Sequence, residues 1–247
     1  MSALLADLAD LVLPAACAGC DAERVRLRYG VCAGCAALLE TLRPFRTAPV
    51  PPPPGLPRCV AVGTYEGPLR GALLTYKERG RHRLARPLGV LLASAVAALA
   101  GPGRRVTVVP VPSTAAAARE RHGDHMNRLA GHAVRRLRAA GWEARLARPL
   151  KALPRADSAG LDAPGRRAAA ESSLRIKPGH DAFLRLRRFA GQRAPGEGTL
   201  VVVDDIVTTG ATLATVTRRL EEANMQVAGA AVLAATRLRR ATPTGFA

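Results

Sequence analysis

The chain has 247 residues and a formal net charge of +18, which is long enough to bury a sizeable core and basic enough to favour anionic partners, either nucleic acid or phosphorylated small molecules. A hydrophobic fraction of 48% excludes a disordered chain. With three Tyr, four Phe and one Trp, a platform that stacks single-stranded bases is poorly supplied, and the abundance of Arg leaves open that the charge is compositional.

Taken from the start, Leu4, Leu5, Leu8, Leu11 and Val12 mark one face of a short amphipathic helix. The segment lacks a basic start and carries Asp7 and Asp10, so it is not expected to act as a secretion signal. Two cysteine pairs follow, Cys17-Ala-Gly-Cys20 and Cys32-Ala-Gly-Cys35. In such a C-x2-C-x11-C-x2-C set, each glycine lets backbone amides turn toward thiolates, and two knuckles close a tetrahedral zinc site. Disulfides and a redox pair are the alternatives. A module of residues 1–44 is too small to hold together by burial alone, so a structural zinc would supply folding energy. Pro49 and Pro51–Pro54, with Gly55 and Pro57, read as a stiff linker over residues 45–57.

From Arg58 the pattern is α/β. Cys59–Tyr65 and Val106–Val111 read as short strands, with Cys59 a small buried core residue, and Pro68–Tyr76 and Leu84–Ala100 as the helices between them. Leu84–Ala100 is the most apolar stretch, but it is interrupted by Arg86 and Pro87 and is shorter than the about 20 residues that cross a bilayer. No membrane insertion is expected, and the chain reads as soluble and cytoplasmic. Asp124–Ala140 is helical, with Met126, Leu129, Ala133, Val134 and Leu137 on one face. Residues 145–198 have weak periodicity and read in part as a mobile loop. Leu200–Val203 is a buried strand, Ala211–Ala223 a helix and Val227–Ala235 a further strand. Strands alternating with helices predict a parallel sheet covered on both faces.

The chemistry concentrates in Val201-Val-Val-Asp-Asp-Ile-Val-Thr-Thr-Gly-Ala-Thr-Leu213. A buried strand delivers Asp204 and Asp205 to its carboxyl end, where open α/β sheets bind ligands. Thr208, Thr209, Gly210, Ala211 and Thr212 then form a tight turn into a helix, whose N–H groups and dipole cradle a phosphate. The acids suit the hydroxyls of an attached sugar and can orient magnesium. A nucleoside-triphosphatase strand would need a Gly-x4-Gly-Lys-Ser/Thr loop as its companion, and the sequence has no Gly-Lys pair. The segment resembles the phosphoribosyl diphosphate signature of type I phosphoribosyltransferases. That resemblance implies that Asp204 and Asp205 hold the ribose hydroxyls and Thr208–Thr212 the 5′-phosphate.

A sugar diphosphate also needs cations and amides at its leaving pyrophosphate. Candidates are Lys77, Pro112, Ser113, Arg119 and Arg121; taken singly, an Arg or Lys in so basic a chain is more often a solvated surface charge. The order of motifs adds weight. Tyr65, Gly67, Leu69, Arg70, Lys77, Gly80, Val109–Pro112, Arg121, Gly123, Asp124 and Asp204–Gly210, with Asp157–Leu161 and Arg166 or Arg167, resemble the pattern of the ComF family (ComFC- and GntX-like proteins). Arg121-His-Gly-Asp124 replaces the commoner Arg-Gly-Phe-Asn, and Asp157-Ser158 stands where a glutamine is usual. The resemblance implies a type I phosphoribosyltransferase-like α/β domain over residues 58–240 behind an N-terminal zinc ribbon, with magnesium accompanying phosphoribosyl diphosphate. It further implies a role in DNA uptake and natural transformation, with single-stranded DNA and uptake or recombination proteins as partners. The alternative is an active phosphoribosyltransferase with an unidentified acceptor. His122 and His125 read as surface or loop packing.

Overall fold

A computed structural model describes residues 16–120, 123–153, 174–177 and 199–236. The expected N-terminal helix, the Asp157–Leu161 stretch with Arg166 and Arg167, and residues Arg121 and His122 lie outside them.

Two short strands, β1 (Leu27–Arg28) and β2 (Val31–Cys32), form a hairpin, and helix α1 (Ala33–Thr41) follows. The main sheet takes β3 (Phe45–Thr47), β4 (Cys59–Thr64), β5 (Arg105–Pro110), β6 (Glu143–Leu146), β9 (Thr199–Val207) and β10 (Val227–Ala235), in the order β3-β4-β10-β9-β5-β6. The five strands from β4 to β6 run parallel, and β3 joins the edge antiparallel through Phe45↔Ala61 and Thr47↔Cys59. A small ribbon pairs β7 (Leu150–Ala152) with β8 (Leu174–Ile176).

The alternation of side chains along β9 divides the core in two. Val201 and Val203 pack with residues of α2 (Gly67–Glu78), α3 (Ala85–Ala100) and α5 (His125–Ala139), whereas Val202 packs with Leu213, Val216 and Leu220 of α6 (Ala211–Glu222). Helices thus cover both faces, as a parallel sheet of fully buried strands requires. Small residues set the spacing: a Cβ at Gly89 of α3 would collide with His132 of α5, and one at Gly229 would meet the Arg58 carbonyl at 2.6 Å.

The helical run that includes the flanking 3-10 turns, His82–Gly103, has 22 residues and is by length and composition apolar enough to cross a membrane. In this fold it is a core helix, with Leu84, Leu88, Leu92 and Val96 fully buried.

The first cysteine knuckle sits directly on α2. A Cβ at Gly71 would lie 2.6 Å from the Ala18 carbonyl oxygen and 2.7 Å from that of Gly19. Cys17, Ala18, Val31, Cys35 and Leu39 belong to the same buried cluster as Leu69, Leu73 and Leu84. The proline tract lies against the main sheet's α6 side, where Leu56 joins the core and Pro49 is buried.

Candidate functional site

Four strands of the parallel set end on one edge. Tyr65 N donates to Ala235 O, Thr236 N to Val207 O and Val111 N to Val203 O, so the ends of β4, β10, β9 and β5 stand side by side. Such an edge is where open α/β sheets present ligand-binding loops.

The sequence predicts that strand β9 stops at Val203, with the acids already outside it. It runs on to Val207, because β10 keeps pairing with it through Val232↔Asp204 and Ala234↔Ile206. Asp204 and Asp205 therefore lie within the strand's last turn of pleat and project to opposite faces. Asp205 is buried and faces the α2–α5 layer. Its Oδ2 lies 2.9 Å from Lys77 Nζ and 3.6 Å from His125 Nε2, and its Oδ1 accepts from Ile206 N at 2.8 Å. Burial alone would raise this carboxyl, but the adjacent His125 ring and the Lys77 charge outweigh it and hold Asp205 below the usual carboxylate range. Asp204 keeps some accessible surface although it sits deep in protein, and its Oδ1 accepts from Asp205 N at 2.9 Å. Burial and the neighbouring Asp205 charge push it well above the usual range.

The turn after β9 has the shape that its sequence suggests. Thr208 and Thr209 are exposed, Gly210 takes φ 74° as the N-cap of α6, and no side chain caps that helix. Ala211 and Thr212, in the first turn, are exposed, and Ala211 N reaches Thr209 Oγ1 at 3.4 Å. An uncapped helix start with exposed hydroxyls is suited to an anion. Gly210 is required for a second reason. A Cβ there would meet Leu56 Cδ1 at 2.8 Å, Pro49 Cγ at 3.2 Å and Pro53 Cγ at 3.4 Å, so the proline tract walls one side of the turn.

The candidate pyrophosphate residues are placed in three ways. Pro112 and Ser113 lie just past β5, on the same edge as the turn. Lys77, in the last turn of α2, is drawn onto Asp205. Arg119 is exposed on the short helix α4 (Ala115–Glu120), and Arg121 is outside the described residues.

His125, which the sequence suggests is surface or loop packing, is instead buried beside Asp205. It is 6% exposed and opens α5 behind the Asp124 cap, whose Oδ1 accepts from Asn127 N at 3.0 Å. Tyr76 donates its hydroxyl to the His125 carbonyl at 2.7 Å, and burial pushes that phenol up to about 12, so it remains a donor at neutral pH. The available signal was positional: an Asp-His pair at the start of a helix that leaves the ligand edge.

The cysteine cluster is a separate site. The sulfurs of Cys17, Cys20, Cys32 and Cys35 all lie within 4.8 Å of one another, with Cys20 and Cys32 3.9 Å apart. Tetrahedral thiolates around zinc stand about 3.8 Å apart, from a Zn–S bond of about 2.3 Å, so the set fits the metal with little adjustment. Cys17 Sγ accepts from Gly19 N at 3.4 Å and Cys32 N at 3.2 Å, and Cys32 Sγ from Cys35 N at 3.5 Å. Burial opposes ionisation of Cys17, but amides of Cys32, Gly19 and Cys20 overcome it and bring the thiol down to about 6. This four-cysteine group can bind a metal ion such as zinc. Cys59 is buried elsewhere, in β4, and its thiol is pushed up to about 11 by that burial.

A sequence model of the phosphoribosyl transferase domain family matches residues 193–244. The chain carries a phosphoribosyltransferase domain. The match takes in both acids, the Thr208–Thr212 turn and the central strands β9 and β10. No curated protein matches the chain. The phosphoribosyltransferase domain implies a ligand of the phosphoribosyl diphosphate type, and the mixed α/β architecture with its mainly parallel sheet agrees with that domain.

Proposed function

We propose that the chain is a ComF-like protein whose phosphoribosyltransferase domain binds phosphoribosyl diphosphate with magnesium. The observation that carries this reading is the run of Asp204, Asp205 and the uncapped Thr208–Thr212 turn at the carboxyl edge of β9. The 5′-phosphate is taken by the amides and hydroxyls of Thr208–Thr212. The ribose hydroxyls donate to Asp204 and Asp205, and the diphosphate lies toward Lys77, Pro112 and Ser113, with Arg119 and Arg121 on the following segment. Magnesium neutralises diphosphate charge when bound; the chain's own part is to fix the sugar and shield it from water. Phosphoribosyl transfer passes through an oxocarbenium-like state and needs no side-chain nucleophile, so orientation accounts for most of the requirement. The cysteine module holds a structural zinc.

In the ComF-like role the protein handles imported single-stranded DNA during uptake, with uptake or recombination proteins as partners. The net charge of +18 supports a polyanionic partner. Turnover as a phosphoribosyltransferase on a base is the alternative.

Thermal melting tests the site. Phosphoribosyl diphosphate with magnesium should raise the melting temperature of the full chain, and the double substitution Asp204→Asn/Asp205→Asn should abolish the rise. An equal rise in the double variant would refute the placement of the sugar. Single-strand affinity that fails to drop between about 50 and 200 mM salt would argue against the DNA role.

A further inference from the structure

Both oxygens of Asp205 face protein groups. Oδ1 takes the amide of Ile206, and Oδ2 is shared by Lys77 Nζ at 2.9 Å and His125 Nε2 at 3.6 Å. A sugar hydroxyl that approaches Oδ2 must compete for space with these two groups, and they differ in their freedom to make room. The Lys77 side chain is 28% exposed, on a four-carbon stem at the end of α2. The His125 ring is 8% exposed and its backbone is tied to Tyr76, the residue preceding Lys77. The rings of Tyr76 and His125 also meet edge to face, with centres 6.4 Å apart. Helices α2 and α5 are thereby clamped on either side of the same carboxylate.

We infer that His125 is a positioning residue for the sugar-phosphate site: it keeps the Asp205 carboxylate aimed when Lys77 exchanges that carboxylate for the ligand's phosphate. Two observations support the division. Lys77 is a compact cation that gains more from a dianion than from one carboxylate, and its exposure gives it room to move. Among the described residues, His125 Nδ1 is buried without a hydrogen-bond partner. The ring is thus turned with Nε2, not Nδ1, toward the Asp205 carboxylate. Without His125, release of Lys77 would leave Asp205 held only by its own strand.

This inference rests on the phosphoribosyl diphosphate reading, and the experiment separates the two. Binding of phosphoribosyl diphosphate with magnesium is measured by calorimetry on the full chain, its His125→Leu and His125→Gln variants, and Lys77→Met. His125→Leu should weaken binding about tenfold, as loss of one polar contact to a charged group does, and His125→Gln, which keeps an N–H donor, should recover most of it. Lys77→Met should also weaken binding, through loss of the phosphate contact. Equal affinities for wild type and His125→Leu would overturn the inference while leaving the reading intact; a wild type that takes no ligand overturns both. Should the Leu variant not fold, a ligand-bound wild-type structure decides. Lys77 Nζ is expected beyond 4 Å from Asp205 (roughly the limit of an ion pair) with His125 still in place. A Lys77–Asp205 pair that survives ligand binding sinks the idea.

Discussion

Burial and the charge of Asp205 push the Asp204 carboxyl well above its ordinary range, whereas His125 and Lys77 hold Asp205 below it. The two acids therefore respond to pH with opposite signs. Asp205 contributes stability that is present above the unfolded carboxyl range, near pH 4, and is lost as pH falls through its depressed value. Asp204 binds its proton more tightly when folded than when unfolded, so its contribution is lost as pH rises from about 4 through the elevated value. Replacing Asp204 with Asn removes that cost and keeps an oxygen for the Asp205 amide. Urea unfolding at pH 7 should find Asp204→Asn more stable than wild type by about 1 kcal/mol, and the gap should close near pH 4. Lower stability of the variant at pH 7 would show that Asp204 is not strained by its neighbour. Gain of stability with loss of ligand response is the signature of a residue kept for binding.

Helix α2 connects the two sites. One face receives the first cysteine knuckle at Gly71, where Thr75 Oγ1 also reaches Ala18 O at 3.5 Å, and its last turn carries Lys77 to Asp205. Gly71→Val sets a branched side chain against two backbone carbonyls that cannot rotate away. The expected loss is about 2–3 kcal/mol in urea unfolding; wild-type stability would mean that the knuckle does not rest there. Much of this architecture can be read from sequence. The β4, β5 and β10 strands and the α2, α3, α5 and α6 helices fall within one or two residues of their expected ends, because the helices are amphipathic and the strands are unbroken apolar runs bounded by turn residues. β1, β2 and α1 escape such reading, since sulfur geometry rather than apolar periodicity shapes that module. β3 and β7 are three-residue strands defined only by their partners. The end of β9 was hidden because two adjacent carboxylates look like a loop, and only pairing with β10 shows that they are strand. The Thr208–Thr212 turn was legible because its chemistry is local. The Lys77–Asp205–His125 cluster was not, because three distant segments converge on it.

Across the whole molecule, the cysteine module and the sheet share one buried cluster, with Cys17, Val31, Cys35 and Leu39 packed among residues of α2 and α3. Metal loss should therefore register throughout the fold. Scanning calorimetry with a zinc chelator should show one cooperative transition moved down by several degrees, on the order of 2–4 °C per kcal/mol for a chain of this size. A small early transition with the main one unmoved would show that the module is energetically separate. The rims of the main sheet have their own consequence. Along one border runs β3, three residues long with an outward Arg46 and a proline tract directly after it; along the other lies β6, with Glu143 and Arg145 exposed. Among the described residues, neither border offers a long, flat row of amides on which a second polypeptide could nucleate a ribbon. Lengthening β3 by replacing the prolines that follow it would remove that guard and invite self-association through the border.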